Sequence, residues 1–140
     1  MESGEICNSL NKKKTEKSLQ ILESNYYGDF DIAFLQEVSA SFVSHCSDRK
    51  MSESFDILYP MNMDTDRDQN SFILLRKGRF TELQDVTQEV INEFPDDVEV
   101  PVVPGDLFVL SAVDKLDGQR YFKLLIINII VFFNNIFDLF

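Results

Sequence analysis

The stretch Asp31-Ile32-Ala33-Phe34-Leu35-Gln36-Glu37-Val38 decides how this chain is read. Ile32, Phe34 and Leu35 form a short apolar run, led in by Asp29 and Asp31 and closed by Gln36 and Glu37. A strand in the interior of an α/β protein has this length and texture. Open α/β sheets gather their ligand chemistry beyond the carboxyl ends of the strands. Glu37 stands at such an end, where a hard cation would find an oxygen ligand. Mg²⁺ is commonly held by one or two carboxylates, while water and substrate phosphate complete its octahedron.

Upstream, residues 6–10 read as what remains of a first strand. Residues 12–23 read as an amphipathic helix, with Leu19 and Leu22 three apart, Ile21 beside them, and Lys12, Lys13, Lys14 and Lys17 on the solvated side. The lysines are either that exposed face or a patch that steers phosphate. Tyr26-Tyr27-Gly28-Asp29 closes the helix, since glycine tolerates the left-handed cap conformation.

Downstream, residues 38–50 have room for a helix that turns Phe42 and Val43 inward, and residues 55–59 read as a short strand halted by Pro60. The loop that follows contains Asp64-Thr65-Asp66-Arg67-Asp68, which imitates the start of a calcium loop. The imitation fails because Gln69 takes the place of the turn glycine and Leu75 that of the bidentate Glu, so a solvated acidic loop is expected. Residues 72–75 are the next strand, and Arg76, Lys77 and Arg79 follow it as strand-end charges or as contacts to a phosphate. Residues 81–94 hold a helix or an irregular crossover. Residues 107–113 and 119–127 are strands joined at Asp117-Gly118, a dipeptide that supplies the positive φ angles of a tight hairpin.

The motif Asp31-Ile32-Ala33-Phe34-Leu35-Gln36-Glu37-Val38 resembles the D-I-x-x-L-Q-E-V signature of the endonuclease/exonuclease/phosphatase superfamily, the Mg²⁺-dependent phosphoesterases that include DNase I-like nucleases and inositol polyphosphate phosphatases. Phe72-Ile73-Leu74-Leu75-Arg76-Lys77-Gly78-Arg79-Phe80 is similar to the family's next strand, with Asn70 standing where the family usually has a glycine. The lysine-rich helix before the motif and the Asp117-Gly118 hairpin after it fall in the family's order, so the resemblance spans residues 10–122. It implies an α/β fold, part of a four-layered α/β/β/α sandwich with a mixed, largely antiparallel sheet, here truncated to its N-terminal half. It implies that Glu37 is a metal ligand for Mg²⁺, with Asn8 as the only candidate for the family's first-strand Asn near the metal. The family's later motifs, a His, G-D-F-N and a closing S-D-H, do not occur here, and His45 is the only histidine. A general base and a phosphate-contacting His are therefore expected to be missing, and little or no turnover is expected from these residues alone.

Composition narrows the remaining classes. The net charge is −11, with 13 Lys and Arg against 24 Asp and Glu, which disfavours strong nucleic-acid binding because duplex affinity depends on cationic side chains displacing counterions. The charge favours a small or protein-borne phosphoester as substrate in the complete domain. Two cysteines, Cys7 and Cys46, do not make a disulfide framework. The start of the chain has no basic and apolar leader pattern, so a cytoplasmic, non-secreted protein is expected. One His and no G-x-S-x-G argue against a serine hydrolase, and no glycine-rich loop cradles a nucleotide.

Residues 124–140 are almost wholly Leu, Ile, Phe and Asn. They are expected to be an apolar low-complexity tail foreign to the domain of residues 1–123, as translated AT-rich sequence would be. The tail is too short, and too interrupted by Asn128, Asn134, Asn135 and Asp138, to make a membrane span expected. The competing expectation is a non-catalytic interaction module, whose exposed apolar sheet surface would seek a partner protein or aggregate.

Overall fold

The computed structural model describes residues 3–26, 29–47, 49–63, 65–66, 69–94 and 105–126. These form a mixed α/β arrangement with two three-stranded antiparallel sheets. The first sheet holds β1 (Ile32–Val38), β2 (Phe55–Leu58) and β3 (Asn70–Arg76) in the order β1-β3-β2. The second holds β4 (Phe80–Asp85), β5 (Leu107–Asp114) and β6 (Arg120–Ile126) in the order β4-β5-β6. Four helices accompany them: α1 (Ser3–Leu22), α2 (Phe42–Ser47), α3 (Lys50–Ser54) and α4 (Thr87–Asn92).

The centre of the first sheet is β3, not β1. Residues Asn70 through Leu75 are all buried, whereas no residue of β1 is. The apolar run at Ile32–Leu35 therefore forms an edge strand among the described residues, and the interior position goes to Phe72-Ile73-Leu74-Leu75, a run of equal length with a bulky side chain at every position, where β1 has Ala33. A strand covered on both faces buries successive side chains, and among the described strands only β3 and β5 are buried along nearly their whole length.

Alternation along these two strands distributes the core. Phe72 and Leu74 pack with Leu19 of α1, Phe42 and Cys46 of α2, Met51 of α3 and Phe55. Ile73 and Leu75 point the other way, against Phe108 and Leu110 of β5. Leu107 and Val109 face outward again, onto Val86 and, around α4, Val90, Ile91 and Phe94. A period of two along a strand places successive side chains on opposite faces, so one sequence feeds two cores. Each fully buried side chain such as Phe72 or Ile73 contributes about 1.5–3 kcal/mol.

The region before the motif differs from expectation. Residues 6–10 are not a strand but part of α1, which runs unbroken through the lysine-rich segment. Lys, Glu, Gln and Leu are strong helix formers, and a five-residue segment with no partner strand cannot satisfy its own backbone groups. The helix also stops at Leu22, ahead of Tyr26; Tyr27 and Gly28 lie outside the described residues. Leu19 is fully buried and Leu22 half-buried, while Ile21 is exposed.

Residues 81–94 divide into β4 and α4, a strand that sequence reading left unseen. The turn at Gly78, whose φ is +78°, carries the chain from β3 of one sheet to β4 of the other. The hairpin between β5 and β6 stands where Asp117-Gly118 placed it, but its loop is longer than two residues. Asp114 N–H donates to Gln119 O at 2.9 Å and Gly118 N–H to Asp114 O at 2.8 Å, and of the dipeptide only Gly118 has a positive φ, +68°. β6 extends through Leu124, Leu125 and Ile126, paired with Val109, Phe108 and Leu107. The remainder of the tail and most of the 64–68 acidic segment lie outside the described residues. No described helix is long and apolar enough to cross a membrane.

Candidate functional site

β1 pairs with β3 in regular register from Ile32↔Leu75 to Leu35↔Phe72, and then the register shifts before Val38↔Asn70. The two residues in the irregularity are Gln36 and Glu37, and Glu37 has a φ of +52°. A non-glycine residue in the left-handed region costs about 1–2 kcal/mol and persists where neighbouring contacts impose it. One contact to this backbone comes from α1: Lys14 Nζ donates to Glu37 O at 2.9 Å. The same ammonium lies 3.8 Å from Glu37 Oε2. The Glu37 side chain lines a cleft beside the bulge and is 50 % exposed.

Around it lies a cleft of about 80 Å³ between α1 and the end of β1, lined by Lys14, Thr15 and Ser18 on one side, by Leu35, Gln36, Glu37 and Val38 on the other, and closed by Ser39 and Phe42. That volume has room for a hydrated ion or a phosphoryl-sized group and falls well short of the roughly 300 Å³ at which small-molecule pockets begin. Ser39 is buried, and its hydroxyl shares a 2.7 Å hydrogen bond with that of Ser41. Behind the bulge, Asn70 is fully buried and its Nδ2 donates to Val38 O at 3.4 Å. A Cβ at Gly105 would lie 2.4 Å from Asn70 Oδ1, and the φ of Gly105 is +97°. Glycine at 105 is thus what lets the Asn70 amide reach the back of the bulge. The two sheets are joined at the same place, because Ser71 N–H donates to Gly105 O at 3.0 Å and Ser71 Oγ to Asp106 O at 3.1 Å.

The cleft offers a cation one charged ligand. Among the described residues no three His, Cys, Asp or Glu side chains converge as a metal cage. Glu37 is the single carboxylate in the cleft lining. Mg²⁺ is held in this way in many phosphoryl-transfer sites, retaining several waters. The Lys14 ammonium beside the carboxylate and the lack of a second carboxylate in the lining both oppose it.

The other residues singled out by sequence lie elsewhere. Asn8 belongs to α1, and its side chain is outside the described residues. His45 sits on α2 with Nδ1 2.7 Å from Ser41 O. Cys46 is buried beneath α2, and desolvation pushes its thiol up to about 12. Arg76 and Arg79 follow the opposite end of β3 from Asn70, and both are neutralised there. Arg76 Nε donates to Asp31 Oδ1 at 2.9 Å, and Arg79 contacts both Asp31 Oδ2 and Asp114 Oδ2. Lys77 Nζ donates to Ser52 O at 2.6 Å. These cations serve the ends of the strands and do not face Glu37.

Sequence reading missed Lys14 as a partner of Glu37. The signal was a helical one: Thr15, Leu19 and Leu22 share a face, which puts residue 14 at its margin. Comparison with protein-family models, with curated proteins and with solved structures finds no match to this chain.

Proposed function

We propose that this chain is the metal-holding N-terminal half of a Mg²⁺-dependent phosphoesterase domain of the endonuclease/exonuclease/phosphatase type, with Glu37 as the residue that holds the ion. The observation that carries the reading is the bulge at Glu37, a left-handed Glu turned out of the end of a strand into a phosphoryl-sized cleft. The sequence of cores supports the four-layered α/β/β/α arrangement, since helices lie on one sheet, that sheet lies on the second, and α4 lies on the second sheet's other face. When bound, Mg²⁺ supplies charge to polarise a phosphoryl oxygen and to stabilise the leaving group. Glu37 would hold and orient the ion, and Asn70, held in place by the space at Gly105, would keep the bulge in shape. The substrate class is a small or protein-borne phosphoester, because the acidic chain disfavours a polyanionic duplex.

Calorimetric titration of the full 140-residue chain with Mg²⁺ tests this reading. Binding that Glu37→Gln abolishes supports it, and binding that survives the change removes Glu37 from the site. The second reading is a non-catalytic interaction module. Two measurements separate the readings: hydrolysis of a generic phosphodiester in the presence of Mg²⁺ that Glu37→Ala abolishes supports an enzyme, and Mg²⁺ binding that is equally absent from the parent and from Glu37→Ala favours the module.

A further inference from the structure

Four of the 13 Lys and Arg of this acidic chain fall within residues 12–17 of α1. Thr15 and Leu19 fix the inner side of the helix, since both are buried. On the outer side Leu10, Lys13, Lys14, Lys17 and Ile21 follow one another at the spacings of three and four residues that share a helix face. Leu10 and Ile21 are large apolar side chains left exposed there. Lys12, Lys13 and Lys17 are also exposed and form no ion pair among the described residues, while Lys14 is engaged with Glu37. The acids nearby point elsewhere: Glu16 and Glu23 are both paired with Arg49. Between Leu10 and Ile21 the outer face thus carries ammonium groups and no free carboxylate, so its complement is an anionic partner.

We propose that the outer face of α1 docks this protein on an anionic lipid surface, with Lys13 and Lys17 against headgroup phosphates and Leu10 and Ile21 set among the upper acyl chains. The inference is independent of any ion at Glu37. Leu10 and Ile21 stand singly, eleven residues or about 16 Å apart along the helix, and do not form the contiguous apolar centre that a protein interface needs. A lipid surface makes no such demand: it accepts isolated apolar side chains one by one, while lysine stems lie along it and keep their ammonium groups at the phosphates. The net charge of −11 does not cancel the attraction, because the screening length at physiological ionic strength is about 8 Å and acids on the far side of the fold lie beyond it.

Flotation of the full chain with vesicles tests the proposal, since self-association alone does not carry protein upward. The chain is expected to float with vesicles of phosphatidylcholine and phosphatidylserine and not with phosphatidylcholine alone, and to be released as ionic strength rises from about 0.1 M to about 1 M. Each lysine at such a surface is worth roughly fivefold in the binding constant, so Lys13→Gln/Lys17→Gln is expected to bind about 10- to 25-fold more weakly. Both positions are exposed, and the urea midpoint is expected to stay at the parent value. Lys50→Gln/Lys115→Gln removes the same charge from exposed lysines outside α1 and is expected to bind like the parent. Leu10→Ser/Ile21→Ser is expected to weaken binding several-fold. No flotation with the mixed vesicles, equal flotation with both vesicles, an α1 double variant that binds like the parent, or a control variant as weak as Lys13→Gln/Lys17→Gln overturns the proposal. Binding to soluble polyglutamate with no binding to the mixed vesicles also overturns it, and makes the partner an acidic polypeptide.

Discussion

Arg79 grips the carboxylate of Asp114 through a single oxygen, with Nη2 donating to Oδ2 at 2.8 Å and Nε donating to the same atom at 3.1 Å. The other oxygen of Asp114 accepts the Leu116 N–H at 2.9 Å. Arg79 also reaches Asp31, just before β1, so one guanidinium ties the ends of both sheets together.

This geometry fixes the sign of a pH effect. The hydrogen bonds from Arg79, and then the one from Leu116, hold the Asp114 carboxyl below the usual carboxylate range. A group whose folded pKa is depressed contributes stability above its unfolded pKa of about 3.9 and loses it as pH falls through the folded value. Asp114→Asn is therefore expected to lower the urea midpoint at neutral pH and to narrow its gap to the parent as the solution is acidified. A gap that stays constant from neutral to strongly acid pH would remove this pair from the acid sensitivity.

Gly105 and Gly78 both have positive φ, but they are not equivalent. A Cβ at Gly78 meets nothing within 4 Å, so Gly78→Ala is expected to cost only the backbone term of about 1–2 kcal/mol. At Gly105 the Cβ would run into Asn70 Oδ1, and Asn70 is fully buried behind the bulge. Gly105→Ala should therefore cost more than Gly78→Ala in equilibrium unfolding, and equal costs would contradict the close approach.

The left-handed Glu37 allows stability to be tested apart from the proposed ion binding. Glu37→Gly removes the carboxylate and the steric cost of a positive φ together, whereas Glu37→Ala removes the carboxylate and keeps the strain. We expect Glu37→Gly to unfold at a higher urea concentration than Glu37→Ala, by about 1 kcal/mol, with Mg²⁺ binding lost in both. Equal stabilities would mean that the bulge opens once the Glu side chain is gone.

Cys46 gives a reporter of opening. Its thiol is buried and its ionisation pushed up to about 12, so at mildly alkaline pH the reactive thiolate is scarce in the folded chain. In a Cys7→Ser background, alkylation is expected to be slow without denaturant and to accelerate across the unfolding transition. Fast labelling of the folded protein would show that α2 lifts from the sheet. Because the folded pKa is the raised one, the contribution of Cys46 to stability is present below the unfolded pKa of about 8.5 and declines as pH climbs toward the folded value.

What the sequence disclosed follows from what is local. Period-two and continuous apolar patterns marked β1, β2, β3 and β5, and Asp117-Gly118 marked the hairpin, because each is written within a few adjacent residues. Leu19 and Leu22 marked the inner face of α1 in the same way. The place of β1 at an edge was not legible, since it depends on β3 capturing the middle position from residues some forty places away. β4 escaped because Thr81-Glu82-Leu83-Gln84-Asp85 is polar and mostly exposed, with β character only once β5 lies beside it. At the candidate site the residue type of Glu37 was legible. Its left-handed backbone and its contact with Lys14 were not, because both arise from packing α1 against the sheet.

Glu37 is not alone in its conformation. Glu82 has a φ of +51° in the register shift between Thr81 and Gln84, and Arg120 pairs with it as Lys14 pairs with Glu37. Among the described residues, each sheet thus has one outer strand kinked at a charged residue. A strand arriving from a neighbouring molecule would find no straight ladder to copy along β1 or β4, and it would have to bury a carboxylate to make one. Along β1 and β4 the kinks therefore disfavour the addition of a further straight strand.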